Sequence, residues 1–173
     1  MTDDLPDDMF LVHPTEGEAG PAASTLSFSR SPTVLLNFAG NRFTRSAARF
    51  YQEEFGLGAM DWRMLVMLTR EPGSSVSHAA RTIGIDKAAV SRSLRRLQLS
   101  GLVLAEVRGD DDRRKVWSLT PSGTQLHARV LPGALARQRA LLEGFSAQDV
   151  VTLTGFLSRM LQNLDSESEA PTP

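Results

Sequence analysis

Gly84 lies four residues after Ala80 and six before Val90, between two short helical stretches. That spacing limits what the chain can fold into more than any other feature. Ala80 must be small if two helices are to cross closely there, and Gly84 must take a backbone conformation that is costly for any residue with a β-carbon. Val90 and Leu94 then pack the second helix back onto the first. Asp86 is placed to cap the second helix, which begins at Lys87. The pattern predicts a helix-turn-helix, although a helical hairpin with another purpose would carry the same spacing.

The residues after Asp86 narrow the choice. The second helix carries Lys87, Arg92, Arg95 and Arg96 and no acid after its cap. Its apolar stripe is Val90, Leu94 and Leu97, with Lys87, Ala88, Ser91, Arg92 and Arg95 turned away from it. Ser100-Gly101 ends the helix. Leu102–Arg108 and Lys115–Leu119 read as paired strands around the polar loop Gly109–Arg114. The expectation is a mainly α chain with a small β-wing (α+β), a winged helix-turn-helix.

Long helices flank this unit. Ser31-Pro32 starts one that runs to Phe55, and Gly56-Leu57-Gly58 stops it. At ~1.5 Å per residue it is ~35 Å long, more than one small winged unit can cover. Ala59–Arg70 follows, with Trp62, Leu65, Val66 and Thr69 on one face, then a turn at Glu71–Ser74 and a short helix at Val76–Ile83. Beyond Thr120-Pro121 a helix is expected to about Leu142, kinked at Pro132-Gly133. The last helix, Ala147–Leu164, has an apolar face wider than one neighbour would cover. The organisation is therefore a mostly disordered acidic tail at 1–30, in which the apolar island 9–12 could dock on a partner subunit. A dimerisation helix at 31–57, the winged unit at 58–124, C-terminal dimerisation helices at 125–164 and a disordered tail at 165–173 complete it.

The net charge of −1 conceals an asymmetry: residues 1–30 sum to −5, residues 165–173 to −3, and the body between them to +7. A basic body suits a polyanionic partner. The absence of cysteine excludes disulfides and thiolate metal sites. His13, His78 and His127 are too dispersed for a metal site, so neither metal nor cofactor is expected. No phosphate-binding loop, dinucleotide fingerprint or nucleophile motif is present, and no enzyme is expected. No apolar run is long enough to span a membrane. The acidic start lacks the positive charge of a signal peptide, so a cytoplasmic protein is expected.

The order of elements from about Ser31 to Leu164 resembles the MarR family of bacterial transcription regulators. Three runs carry the resemblance. They are Asp111-x-Arg113 through Leu119-Thr120; Ile85-Asp86-Lys87 with Val90-Ser91-Arg92, Leu94, Leu97 and Gly101-Leu102-Val103; and Gly56-Leu57 with Asp61-Trp62-Arg63 and Leu65. The resemblance implies a homodimer interlocked through the first and last two helices, with the winged units below. It also implies a small, often aromatic and anionic effector whose binding releases DNA.

In that reading the basic helix enters the major groove of a double-stranded operator. Arg92 and Arg95 reach guanine edges, Lys87 supplies a point charge, and the small Ala88 and Ser91 allow close approach. Ser75, Ser77 and His78 stand at a helix start suited to a phosphate. Arg113 reaches in or beside the adjacent minor groove, Asp111 pairs with it or with another arginine, and Arg114 and Lys115 add charge; the alternative for Asp110–Asp112 is a solvated turn. The effector candidates are Asn37, Phe38, Asn41, Arg42, Arg45, Trp62 and Arg63, where an arginine would orient a carboxylate. The alternatives are that Arg42 and Arg45 pair with acids across the dimer and that Trp62 is core. For the whole chain they are a ligand-independent or architectural DNA binder, an activator, or a winged unit used for protein contacts.

Overall fold

The computed structural model describes residues 5–13, 24–107 and 115–169, with side chains through 166. Two compact units separate between Val130 and Leu131.

The first unit begins with a 3-10 turn at Asp7–Met9 and a two-stranded antiparallel ladder, β1 (Leu11–Val12) and β2 (Thr25–Leu26), in which Leu11 faces Leu26. The Arg30 guanidinium donates to the Leu11 carbonyl. Phe28 packs edge-on against Phe38 with ring centroids 5.2 Å apart. These described parts of 1–30 correct the expectation of a disordered tail. Leu11 has Leu26 to pair with, fifteen positions on, a distance that a search for adjacent apolar residues passes over.

Helix α1 (Pro32–Phe55) starts after Ser31 and stops at Gly56, whose φ of 61° is the left-handed position its sequence predicts. Ser31 precedes the helix as expected, but its hydroxyl faces Thr33 Oγ1 at 3.1 Å instead of a backbone N–H. Helix α2 (Ala59–Arg70) supplies Met64, Leu65, Met67 and Leu68 to the core. The expected turn at 71–74 is shorter, because Ser74–Ser75 form strand β3.

Helix α3 (Val76–Ile83) ends at Gly84, with φ 70°, and α4 (Lys87–Leu99) begins after Asp86, whose carboxylate accepts from Ala89 N at 2.8 Å. Ala80, Val90, Leu94 and Leu97 are all buried. Each of the larger three stabilises the fold by roughly 1.5–3 kcal/mol through burial. Helix α4 packs on both α2 and α3.

Strands β4 (Val103–Val107) and β5 (Lys115–Leu119) pair antiparallel with Ala105 opposite Trp117, and β3 joins the other edge of β5, giving the order β3-β5-β4. Val103 and Trp117 turn inward. Helix α5 (Pro121–Leu141) is capped by Thr120, whose Oγ1 accepts from Gly123 N at 3.1 Å and donates to the Gly101 carbonyl at 2.7 Å. Gly123 is buried against the backbone of Leu102. Pro132 lies inside α5, and the division between the units falls one turn or less before it, where proline removes a helical hydrogen bond.

The second unit holds the end of α5 and α6 (Ala147–Glu169). Ser146 caps α6, its Oγ accepting from Asp149 N at 3.2 Å while the Asp149 carboxylate accepts from Ser146 N at 2.9 Å. The Ser146 hydroxyl, donating to the same carboxylate at 2.6 Å, and then that backbone N–H hold the Asp149 carboxyl below its ordinary range. The helix runs beyond the expected end at 164, so much of the expected tail 165–173 is helical. Residues 165–169 are polar and include no proline or glycine to stop it. Val151, Phe156, Leu161 and Leu164 are exposed along α6, the uncovered apolar face that the sequence predicts.

Candidate nucleic-acid interface

On α4 the buried stripe is Val90, Ser93, Leu94 and Leu97. Lys87, Ala88, Arg92 and Arg95 are exposed away from it, and Ser91 is half-buried at its margin. One helix face thus presents three cations flanked by small residues, without an acid among them. That combination fits a negatively charged groove that a helix can enter.

Arg96, the fourth cation, has a different task. Its Nη2 donates to Asp61 Oδ1 at 2.7 Å and its Nε to Asp61 Oδ2 at 3.3 Å. Ser93 Oγ donates to the same carboxylate at 2.5 Å. Asp61 is buried, so its charge requires such partners. This anchor between α2 and α4 is absent from the sequence reading. A signal for it exists: Asp61, Leu65 and Leu68 share one helix face, which puts a carboxylate on the buried side.

At the start of α3, Ser75 Oγ accepts from His78 N at 3.1 Å, so the hydroxyl caps the helix. Ser77 is exposed, and Ser75 and His78 are half-buried. The His78 ring meets Glu71 Oε2 through Nε2 at 2.5 Å, and Arg70 Nε lies 3.1 Å from Glu71 Oε1. The hydrogen bond from His78, helped by the charge of Arg70 against the cost of burial, holds the Glu71 carboxyl below its ordinary range. The sequence marks Glu71 only as a turn residue.

Of the wing candidates, Asp111, Arg113 and Arg114 lie outside the described residues. Lys115 opens β5 opposite Val107, with Nζ 5.3 Å from the centre of the Trp117 ring.

The effector candidates divide. Trp62 and Arg63 line a cavity of about 150 Å³ with Phe43, Thr44, Ala47 and Tyr51. Trp62 stacks on His127, with centroids 5.2 Å apart and planes at 17°, and tilts against Tyr51 at 5.6 Å. Arg63 reaches Thr44 Oγ1 at 3.5 Å. Asn37 and Asn41 bond each other at 2.6 Å, Phe38 packs on Phe28, and Arg42 and Arg45 are exposed. None of these five lines the cavity. Phe43, Thr44 and Tyr51 escape the sequence reading, although positions 43, 47 and 51 succeed one another at helical spacing. Among the described residues no group of histidine, aspartate and glutamate is placed to hold a metal, and no helix is long and apolar enough to cross a membrane.

The sequence model of the MarR family matches residues 55–115. A putative transcriptional regulatory protein for the hcr operon of Thauera aromatica is 28% identical over 107 residues, covering 62% of this chain and 64% of that protein, a little under two thirds of its length. The HTH-type transcriptional regulator PetP of Rhodobacter capsulatus is 28% identical over 146 residues, covering 82% and 87%. Among solved structures, a MarR/EmrR family transcriptional regulator from Acinetobacter sp. ADP1 superposes with a TM-score of 0.75 at 26% identity, over 82% of this chain and 99% of that one. BpsR of Bordetella bronchiseptica, whose DNA binding is described as regulated by 6-hydroxynicotinic acid, shares the fold with a TM-score of 0.69 at 22% identity, over 85% and 99%.

Proposed function

We propose that this chain, a winged-helix transcription regulator of the MarR family and not an enzyme, works as a homodimeric repressor that a small aromatic anion releases from a pseudo-palindromic operator. The observation that carries the DNA part is the outward face of α4, with Lys87, Arg92 and Arg95 exposed while Arg96 is tied back to Asp61. Arg92 and Arg95 read base edges, and Ser75, Ser77 and His78 approach the backbone. Arg113, Arg114 and Lys115 continue the contact along the wing, with Asp111 orienting Arg113. Dimerisation is supported by the exposed apolar side chains of α6 and places the half-sites ~10 bp apart.

The effector part rests on the cavity beside Trp62 and Arg63. Its size suits one aromatic ring, its walls are aromatic, and its guanidinium matches a carboxylate. The regulation of BpsR by a small aromatic acid favours the same reading. A gel-shift on the DNA upstream of the chain's own gene, with and without salicylate and 6-hydroxynicotinate, tests both parts. A retained band that an aromatic acid abolishes is expected. No retained band would sink the DNA reading, and a band indifferent to both acids would sink the effector reading.

A further inference from the structure

We propose that Glu71 is a positioning residue for DNA binding: it holds His78 as a protonatable cation at the start of α3, so that affinity for duplex DNA rises as pH falls. The inference rests on the reading of α3 as a DNA-facing helix. Glu71 closes α2, seven residues before His78, and its two carboxylate oxygens are taken by different partners, Arg70 on Oε1 and His78 on Oε2. Ser75 fixes the other end of the arrangement by capping the backbone N–H of His78. Ser75 thereby fixes the backbone of His78 on the first turn of α3, and Glu71 fixes its ring. Its side chain is still 42% exposed and that of Arg70 72%, so both remain accessible to a phosphate.

With a neutral imidazole the cluster Arg70–Glu71–His78 carries no net charge, and with an imidazolium it carries +1. Glu71 is held below the ordinary carboxylate range, chiefly by the hydrogen bond from His78, so it supplies the negative charge that faces the ring. Of the elements packed against α3, β5 carries Lys115, and Arg70 and Glu71 stand just before β3 in the chain. Asp86 caps α4, Lys87, Arg92, Arg95 and Arg96 lie on it, and Arg81 lies on α3 itself. None is a second histidine. An added cation beside the backbone contributes to affinity on any sequence and steepens the salt dependence by ~0.9 for one phosphate.

The test is fluorescence anisotropy with a labelled mixed-sequence duplex, titrated from about pH 8 to about pH 5.5 at several salt concentrations. The parent is expected to bind several-fold more tightly at the acid end, with the steeper salt slope. His78→Gln should flatten the profile, while His127→Gln should keep it. Glu71→Gln should move the midpoint to lower pH, because the imidazolium loses its counter-charge. A Glu71→Gln profile lowered equally at every pH, with its midpoint unmoved, would overturn the positioning role. A flat parent profile, or one that survives His78→Gln, would overturn the inference while leaving the DNA reading intact. No binding by the parent at any pH would defeat the DNA reading and this inference with it.

Discussion

Asp61 on α2 and Arg96 on α4 are joined by two hydrogen bonds, at 2.7 and 3.3 Å, and the acid is the buried partner while the arginine side chain is 55% exposed. Arg96 therefore acts as a clasp: it holds the helix that presents Arg92 and Arg95 against the core. Ser93 adds a third bond to the same carboxylate from inside.

Asp61→Ala should destabilise the fold by ~2–3 kcal/mol. That is the low end for breaking a buried pair, since solvent screens the exposed arginine, and it includes the stranded Ser93 hydroxyl. Asp61→Asn should cost less because one acceptor remains. Urea unfolding measures both, and a loss under ~1 kcal/mol in the alanine variant would refute the anchor.

Neighbouring arginines on α4 should separate cleanly. Arg92→Ala is expected to weaken operator binding by ~1–3 kcal/mol while leaving the unfolding midpoint unchanged. Arg96→Ala is expected to lower the midpoint first and to affect DNA only through it. Paired melting and anisotropy measurements decide, and equal effects on DNA at full stability would contradict the division.

Gly123→Ala should be severe. A β-carbon there would lie 2.0 Å from the Leu102 carbonyl oxygen, a backbone atom with no freedom to move aside. A loss of about 3 kcal/mol or more is expected, at the upper end for overpacking. Thermal melting of the variant within a few degrees of the parent would show that α5 can shift away from its close seat on Leu102.

Stability should also report on the Trp62–His127 stack. Burial holds the His127 pKa below its usual value near 6.5. The unfolded chain thus takes up a proton at a higher pH than the folded one. The contribution is therefore fully present above about pH 6.5 and is lost as pH falls through the interval down to the folded value. The difference in melting midpoint between parent and His127→Gln should shrink on acidification from about pH 7.5 to about pH 5.5. A difference that grew would reverse the assignment.

Much of the fold is legible in the sequence because local chemistry decides it. Gly56 and Gly84 stand where backbone must turn left-handed, Asp86 and Ser146 where helices need caps, and Val90, Leu94 and Leu97 at the spacing of one helix face. The anchor is not legible, because Asp61 and Ser93 are 32 positions apart and only the tertiary fold makes them neighbours. The same holds for the ladder of Leu11 with Leu26, and for the cavity, where Phe43, Tyr51 and Trp62 converge from two helices. Nor does the sequence foretell that Asn37 and Asn41 on α1 bond each other and stand outside that cavity.

The ladder of β3 on β5 sets Ser74 against Trp117 and Ser75 against Val116, with Ser75 also the cap of α3. Strand pairing admits no gradual slip, since a shift by one residue turns every side chain to the opposite face. The base of the wing and the start of α3 are consequently locked to one another like teeth on a rack. Residues can be added or removed between Val107 and Lys115 without moving either. The reach of the wing is thus adjustable in evolution without disturbing the start of α3.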